Sequence, residues 1–401
     1  MPLELLTGAK NKQCSLLPTL FSIHWSNRLW QRATLDSNNS FLLYSAIFDP
    51  QTDHLDWQRK SSDRQMPYLL RCPLPPGTKD VPLAVSLTSK PCGQATNLLK
   101  VFGARRREVS AYRNRKLPDN PSKMVRGWAA AVCGPALFYY HEDFSTRLVE
   151  WLELMRAQGF SQVFLHVVDV HPNIIKVLRH YTQEGFVEVT DYTYPSPYLN
   201  DPDLRRLWVM VERSKMFAQE NVYFNDCILR HMHRYRFIAH FDPDEVPILP
   251  KHDNFTHLMD DLMASQKGKT PPGYKFELTY FYDNLDLHEE AADVPHYLWA
   301  LRHTLRESPY STDPNPGRYK SLFDMNTVRG IDSHTTRLCL SGPCDSSRPK
   351  SVSNDTVFIG HYKKMCDKKC MNTTLHDLTL LKYKKQVGSR VVKVLSTLQL
   401  L

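Results

Sequence analysis

"GWAAAVCGPALFYYHEDFSTRLVEWLELMRAQGFSQVFLHVV", residues 127–168, holds the change of hydrophobic rhythm that decides the fold. Its opening is a near-continuous apolar run, the pattern of a strand buried on both faces. Leu148, Trp151, Leu152 and Met155 then fall on one helical face, with Asp143 or Ser145 as N-cap and Gly159 as the stop. "QVFLHVV" (162–168) returns to a short apolar strand. Pro172 suits a first helical position, Ile174, Leu178 and Tyr181 share a face, and Gly185 ends that helix before the strand "FVEVTDY" (186–192). A loop rich in Pro and Asp follows, then an amphipathic helix over about 213–234 and the strand "RFIAHF" (236–241). This order predicts an α/β fold with a mostly parallel central sheet flanked by helices.

Working outward, residues 1–125 read as a β-leaning accessory region, with strands at "FLLYSAIFDP" (41–50) and "VPLAVSLTS" (81–89) and a loop, "RCPLPPGTKD" (71–80), between them. The turn-rich "RNRKLPDNPSK" (113–123) makes a linker, 126–370 form the main domain, and 371–401 read as a helical, basic tail. The chain has 401 residues, 42% of them hydrophobic, enough to bury a large core. The net charge of +9 is scattered, without a recognition helix or an aromatic-plus-basic ladder, so no nucleic-acid partner is expected. "WAAAVCGPALFYY" (128–140) is too short and too broken by Gly134 and Pro135 to span a bilayer.

Nine cysteines include Cys339, Cys344, Cys366 and Cys370, and sequons stand at Asn38, Asn254, Asn354 and Asn372. Together they point to a secretory compartment with disulfides. Four thiolates on one zinc ion are the competing reading, although neither half has the x2 spacing of zinc ribbons.

The last strand runs into "HFDPDEVPILP" (240–250). Ligands of open α/β sheets bind beyond the carboxyl ends of the strands. Asp242 and Asp244 are two apart, so in extended chain they point to one side, and such a pair of hard oxygens suits Mg²⁺ or Mn²⁺. A solvated turn is the plainer use of D-P-D. With Asp242 as nucleophile the motif also matches a haloacid-dehalogenase-like phosphohydrolase, although there it belongs on the first strand.

Several segments in order, from "GWAAAVCGPALF" through "AQENVYFNDCILRHMHRYRFIAHFDPDEVPILP" and "RYKSLFDMNTVRGIDSH" to "IGHYKK", resemble glycosyltransferase family 92. The resemblance implies a GT-A-like nucleotide-diphosphosugar transferase fold. It implies inverting, metal-dependent transfer of a hexose, galactose in the best-known case, from a UDP-sugar to a glycan acceptor on glycoprotein or glycolipid. Asp242 and Asp244, with His361 of the H-Y pair, would hold Mn²⁺ or Mg²⁺ on the donor diphosphate. Glu245 would orient the metal shell or the sugar. Lys320 would place a positive charge at the phosphates, an exposed lysine being its commoner fate. Asn225 and Asp226 would touch the ribose or support the site, and His334 would bind substrate. Inversion requires a base beside the acceptor hydroxyl, for which Glu277, Asp283 and Asp332 are candidates. The family location is the Golgi lumen, through a single N-terminal membrane anchor that this chain does not show. A glycan-binding pseudoenzyme would share these features.

Overall fold

The structure, a computed structural model, describes residues 130–401 apart from 195–199, 212, 267–269, 286, 309–317, 333, 340–341, 345–348, 367–369 and 371–372; before residue 130 it describes six strands only. The 113–123 linker and the sequons at Asn38 and Asn372 lie outside the described residues. The chain divides into two compact units, residues 1–115 with 193–234, and residues 116–192 with 235–401.

The first unit has a six-stranded sheet, in the order Leu3–Glu4, Ala84–Leu87, Leu99–Phe102, Ala33–Leu35, Ser40–Ala46, Pro67–Pro73. Arg71–Pro73, read from sequence as loop, end a strand that pairs antiparallel with Ser40–Ala46. Two helices, Pro202–Val211 and Arg213–His231, belong to the same unit. The first of them replaces part of the expected loop. Asp201 accepts from the Leu204 N–H at 3.1 Å and Pro202 follows it, which is a helix start that the Pro/Asp composition disguised.

The second unit begins with strand β1 (Ala130–Leu137), helix α1 (Ser145–Ala157), β2 (Gln162–Val167), α2 (Pro172–Gln183) and β3 (Val187–Asp191). The rhythm of 127–192 therefore gives the expected elements. Gly159 and Gly185 end the two helices at φ +90 and +73, where a Cβ would be strained. Pro135 gives β1 no N–H at that point, and the β1–β2 register shifts between Cys133 and Ala136.

The chain resumes as β4 (Phe237–His240), β5 (Glu245–Ile248), helix α3 (Phe255–Ala264) and β6 (Gly273–Tyr282). It continues through β7 (Leu305–Glu307), β8 (Tyr319–Asp324), the hairpin β9 (Val328–Ile331) and β10 (Thr336–Cys339), β11 (Phe358–Lys364), and helix α4 (Lys384–Leu398). The path through the main sheet is β5-β11-β6-β8-β4-β1-β2-β3. The pairs β11–β6, β4–β1, β1–β2 and β2–β3 are parallel, whereas β5–β11, β6–β8 and β8–β4 are antiparallel. The sheet is thus mixed rather than mostly parallel: β4-β1-β2-β3 are parallel throughout, and the antiparallel pairs lie on the side of β4 away from β1. "VPILP", expected to form a restrained loop, instead gives β5, and Pro247 is tolerated there because β5 closes the path as an edge strand.

Helix α1 covers β5 and supplies the donors that this edge needs. Trp151 Nε1 donates to the Glu245 carbonyl at 2.9 Å and Gln158 Nε2 to the Pro247 carbonyl at 2.7 Å. Leu148, Leu152, Phe237, Val246, Phe276 and Ile359 belong to one buried core. Helix α4 packs on α1, joined by Arg390 Nε to the buried Glu153 at 2.5 Å, and the Tyr181 hydroxyl donates to the same carboxylate at 2.8 Å. Cys339 is bonded to Cys344 and Cys366 to Cys370, so these four thiols are not the ligands of a zinc ion. No helix among the described residues is long and apolar enough to cross a membrane.

Candidate active site

Parallel pairing sets His240 opposite Cys133, and the chain leaves the ladder at that point. A tight turn follows: the Glu245 N–H donates to the Asp242 carbonyl at 2.9 Å, and the Asp242 N–H donates back to Glu245 Oε2 at 3.0 Å. The chain then re-enters the sheet as β5, with Glu245 opposite His361 of β11. The three carboxylates are therefore held at the carboxyl edge of β4, as expected, between two strands that fix both ends of the turn.

Their mutual repulsion is met by Lys320. This residue lies on β8, is 3% exposed, and places Nζ 2.9 Å from Asp242 Oδ2 and 2.9 Å from Glu245 Oε2. It is not the exposed lysine that its type suggests. Burial alone would lower the proton affinity of the ammonium, but Asp242 and Glu245 outweigh burial and hold it above the ordinary lysine range. Burial pushes the Glu245 carboxyl up, against the pull of Lys320.

Asp244 faces a different partner. His361 Nε2 lies 3.3 Å from Asp244 Oδ2, and both His361 ring nitrogens are buried without a hydrogen-bond partner among the described residues. The Tyr280 ring lies against this imidazole, with centroids 5.3 Å apart. The Tyr362 N–H, donating to the Asp244 carbonyl at 2.9 Å, ties β11 to the turn. Among the described residues no three His, Cys, Asp or Glu side chains converge as a ready-made metal cage. The expected trio is instead divided, with Asp244 and His361 together and Asp242 engaged by Lys320. A carboxylate beside an orphaned buried imidazole fits a hard divalent ion that keeps water and substrate phosphates as its other ligands.

The remaining residues singled out from sequence separate clearly. His334 stands close to the cluster: its N–H donates to Asp332 Oδ1 at 2.8 Å, Ser321 Oγ donates to its carbonyl at 2.6 Å, and its Nδ1 is 3.0 Å from the Tyr319 carbonyl. Asp332 is buried and saturated, accepting also from the Thr335 N–H at 2.6 Å and from Arg337 Nη2 at 2.6 Å. Glu277 is exposed and accepts from Asn354 Nδ2 at 2.6 Å. Asp283 follows the end of β6 and acts electrostatically on His303. Asn225 and Asp226 lie on the Arg213–His231 helix of the first unit. There Asn225 Nδ2 donates to the Asn221 carbonyl at 2.6 Å, and Asp226 accepts from Arg230 Nε at 2.8 Å.

Three site residues escaped the sequence reading. His240, two positions before Asp242, is fully buried and hydrogen-bonded through Nδ1 to the Cys133 carbonyl at 2.8 Å. Burial holds its pKa down, to about 3, so the ring stays neutral 3.8 Å from Asp242 Oδ1. Tyr139, two residues past β1, is pushed above the usual phenol range by burial and by Asp244 and Asp242, which locates it beside the cluster. The third is Glu150 of α1, which shares a small cavity with Arg147, Trp151, Asp244, Trp299 and Tyr362. It accepts three backbone N–H bonds, from Trp299 (2.6 Å), Ala300 (3.0 Å) and Leu301 (3.0 Å). An acidic residue next to Trp151 on an apolar helix face was the signal available for it.

A mixed sheet of this order, with an acidic turn at the carboxyl edge of its central parallel strand, defines a GT-A-like α/β fold. The model of glycosyltransferase family 92 matches residues 129–392, and the chain belongs to that family. No curated protein matches it. Among solved structures it is similar to S. aureus TarS 1-349 in complex with UDP-GlcNAc, at 11% identity over 67% of this chain and 73% of that one, with a TM-score of 0.31. The complex of the same protein with UDP gives 10% identity over 49% and 47% of the two chains, with a TM-score of 0.26.

Proposed function

We propose that this glycosyltransferase moves a hexose, galactose first among the donors to test, from a UDP-sugar to a glycan acceptor by a metal-dependent, inverting displacement. The observation that carries the reading is the Asp244–His361 pair beside a Lys320-neutralised Asp242, at the carboxyl edge of the sheet of a family 92 chain. Asp244 and His361 would hold Mn²⁺ or Mg²⁺ beside the Lys320-bound Asp242. The ion, when bound, offsets the charge that develops on the leaving diphosphate. Lys320 keeps the acid turn in one shape and lowers the repulsion that an incoming diphosphate meets. Neutral His240 adds no further charge beneath it. The acceptor class is a glycoprotein or glycolipid glycan, and the disulfides and the sequon at Asn354 are in keeping with work in the Golgi lumen.

UDP release should be measured from a panel of UDP-hexoses with a mixture of glycans, in Mn²⁺ and in chelator. Turnover is expected only with Mn²⁺ or Mg²⁺. Asp244→Ala should lower it by about 10²–10³-fold, the several kcal/mol that a Lewis-acid contact supplies. Equal turnover in chelator would refute metal dependence, and UDP binding without release from any donor would identify a glycan-binding protein instead.

A further inference from the structure

The base has to be a group that is held in one orientation, reaches solvent, and has a free lone pair beside the donor site. None of the three carboxylates meets all three conditions. Asp332 spends its oxygens on three donors including Arg337, and Glu277 is taken by Asn354. Asp283 has no hydrogen bond or ion pair to a described residue that would fix its orientation.

His334 meets them. Its main chain is held at both ends, by Asp332 at the N–H and by Ser321 Oγ at the carbonyl. Its ring meets the Tyr319 carbonyl, which can only accept, so Nδ1 carries the proton and Nε2 keeps its lone pair. Tyr319 and Ser321 are the neighbours of Lys320 on β8, so the hydrogen bonds that hold His334 also register it against the lysine bound to Asp242. The residue remains exposed to solvent. Resting on the transferase reading above, we propose that His334 Nε2 is the general base that takes the acceptor hydroxyl's proton. As the acceptor oxygen bonds to the anomeric carbon, its proton passes to Nε2, the bond from that carbon to the diphosphate oxygen breaks, and UDP departs with the electron pair. Partial desolvation of the ring and then Lys320 hold the imidazole neutral beforehand, while the Tyr319 carbonyl, Asp332 and Asp242 pull the other way and support the imidazolium once it forms.

Two variants separate this role from a structural one. Asn in His334→Asn keeps a nitrogen where Nδ1 bonds the Tyr319 carbonyl but has nothing at the place of Nε2. With the donor that the wild type uses, its kcat should fall by about 10²–10⁴-fold while the KM for donor and the affinity for UDP with Mn²⁺ stay within about threefold. His334→Ala should fall equally and regain activity with added imidazole. Asn retaining kcat within about threefold, or Ala unrescued by imidazole, would overturn the assignment. A wild type that transfers while these variants do also would remove only the base. A wild type that binds no UDP would remove the transferase reading, and the base with it.

Discussion

Replacing Lys320 by Met removes a cation bound to both Asp242 and Glu245 while keeping much of the side chain's volume. At 2.9 Å and an effective dielectric near 20, each contact is worth about 6 kcal/mol of gross attraction. The Asp242 half is discounted, because that carboxylate is 34% exposed and screened by water. The Glu245 half is not, since its side chain is 2% exposed. Stranding that charge should cost about 3–5 kcal/mol at pH 8, a fall in Tm of roughly 10 °C for a unit of this size. The sign with pH follows from Glu245. The folded pKa is raised by burial already in the wild type and rises further once the ammonium is gone, so the variant's penalty relative to the wild type is absent below the wild type's raised value and grows as pH climbs above it. At pH 5 neutralising the carboxyl costs only about 1 kcal/mol. Urea unfolding followed by circular dichroism in chelator, at pH 5 and pH 8, measures both. The double variant Lys320→Met/Glu245→Gln should recover most of the loss at pH 8. A gap of the same size at both pH values, or one below about 1 kcal/mol at pH 8, would refute the reasoning.

Two further outcomes are expected. Glu150→Ala leaves the buried N–H groups of Trp299, Ala300 and Leu301 without their acceptor, and should destabilise the second unit by about 3 kcal/mol or more in a urea titration, whereas truncating the exposed Glu289 should cost under about 0.5 kcal/mol. Arg390→Ala strips Glu153 of its charged partner on α4; with Arg390 42% exposed the loss should be about 2 kcal/mol, and hydrogen exchange should quicken first in residues 384–398.

What could be read from sequence was whatever neighbours in the chain decide. The apolar run of β1, the stripe Leu148–Trp151–Leu152–Met155, Pro172 at a helix start and two glycines at helix ends each act within a few residues, and each gave its element. Strand direction beyond β4 could not be read in this way. The stretch "YKFELTYFY" (274–282) lies in β6, and only its pairing with β8 and β11 makes it antiparallel to one and parallel to the other. The site divided in the same way. Asp242 and Asp244 were legible because they stand together after a strand. Lys320 is 78 residues from the carboxylate it neutralises, and Glu150 is 149 from the first N–H it accepts, so composition could suggest neither contact. The tautomer of His334 could not be read either, since it depends on a carbonyl 15 residues earlier.

The joint between α1 and α4 sets a timetable for synthesis. Glu153 and Arg390 are 237 residues apart, and at 5–20 residues per second a ribosome takes roughly 12–50 seconds to make the interval. For that period the growing chain holds α1 without the valines of α4, Val387, Val391 and Val394, that are buried when the two helices meet. The nascent second unit therefore has to wait with an uncovered apolar surface and a Glu153 that still lacks Arg390, a state in which a chaperone has something definite to bind.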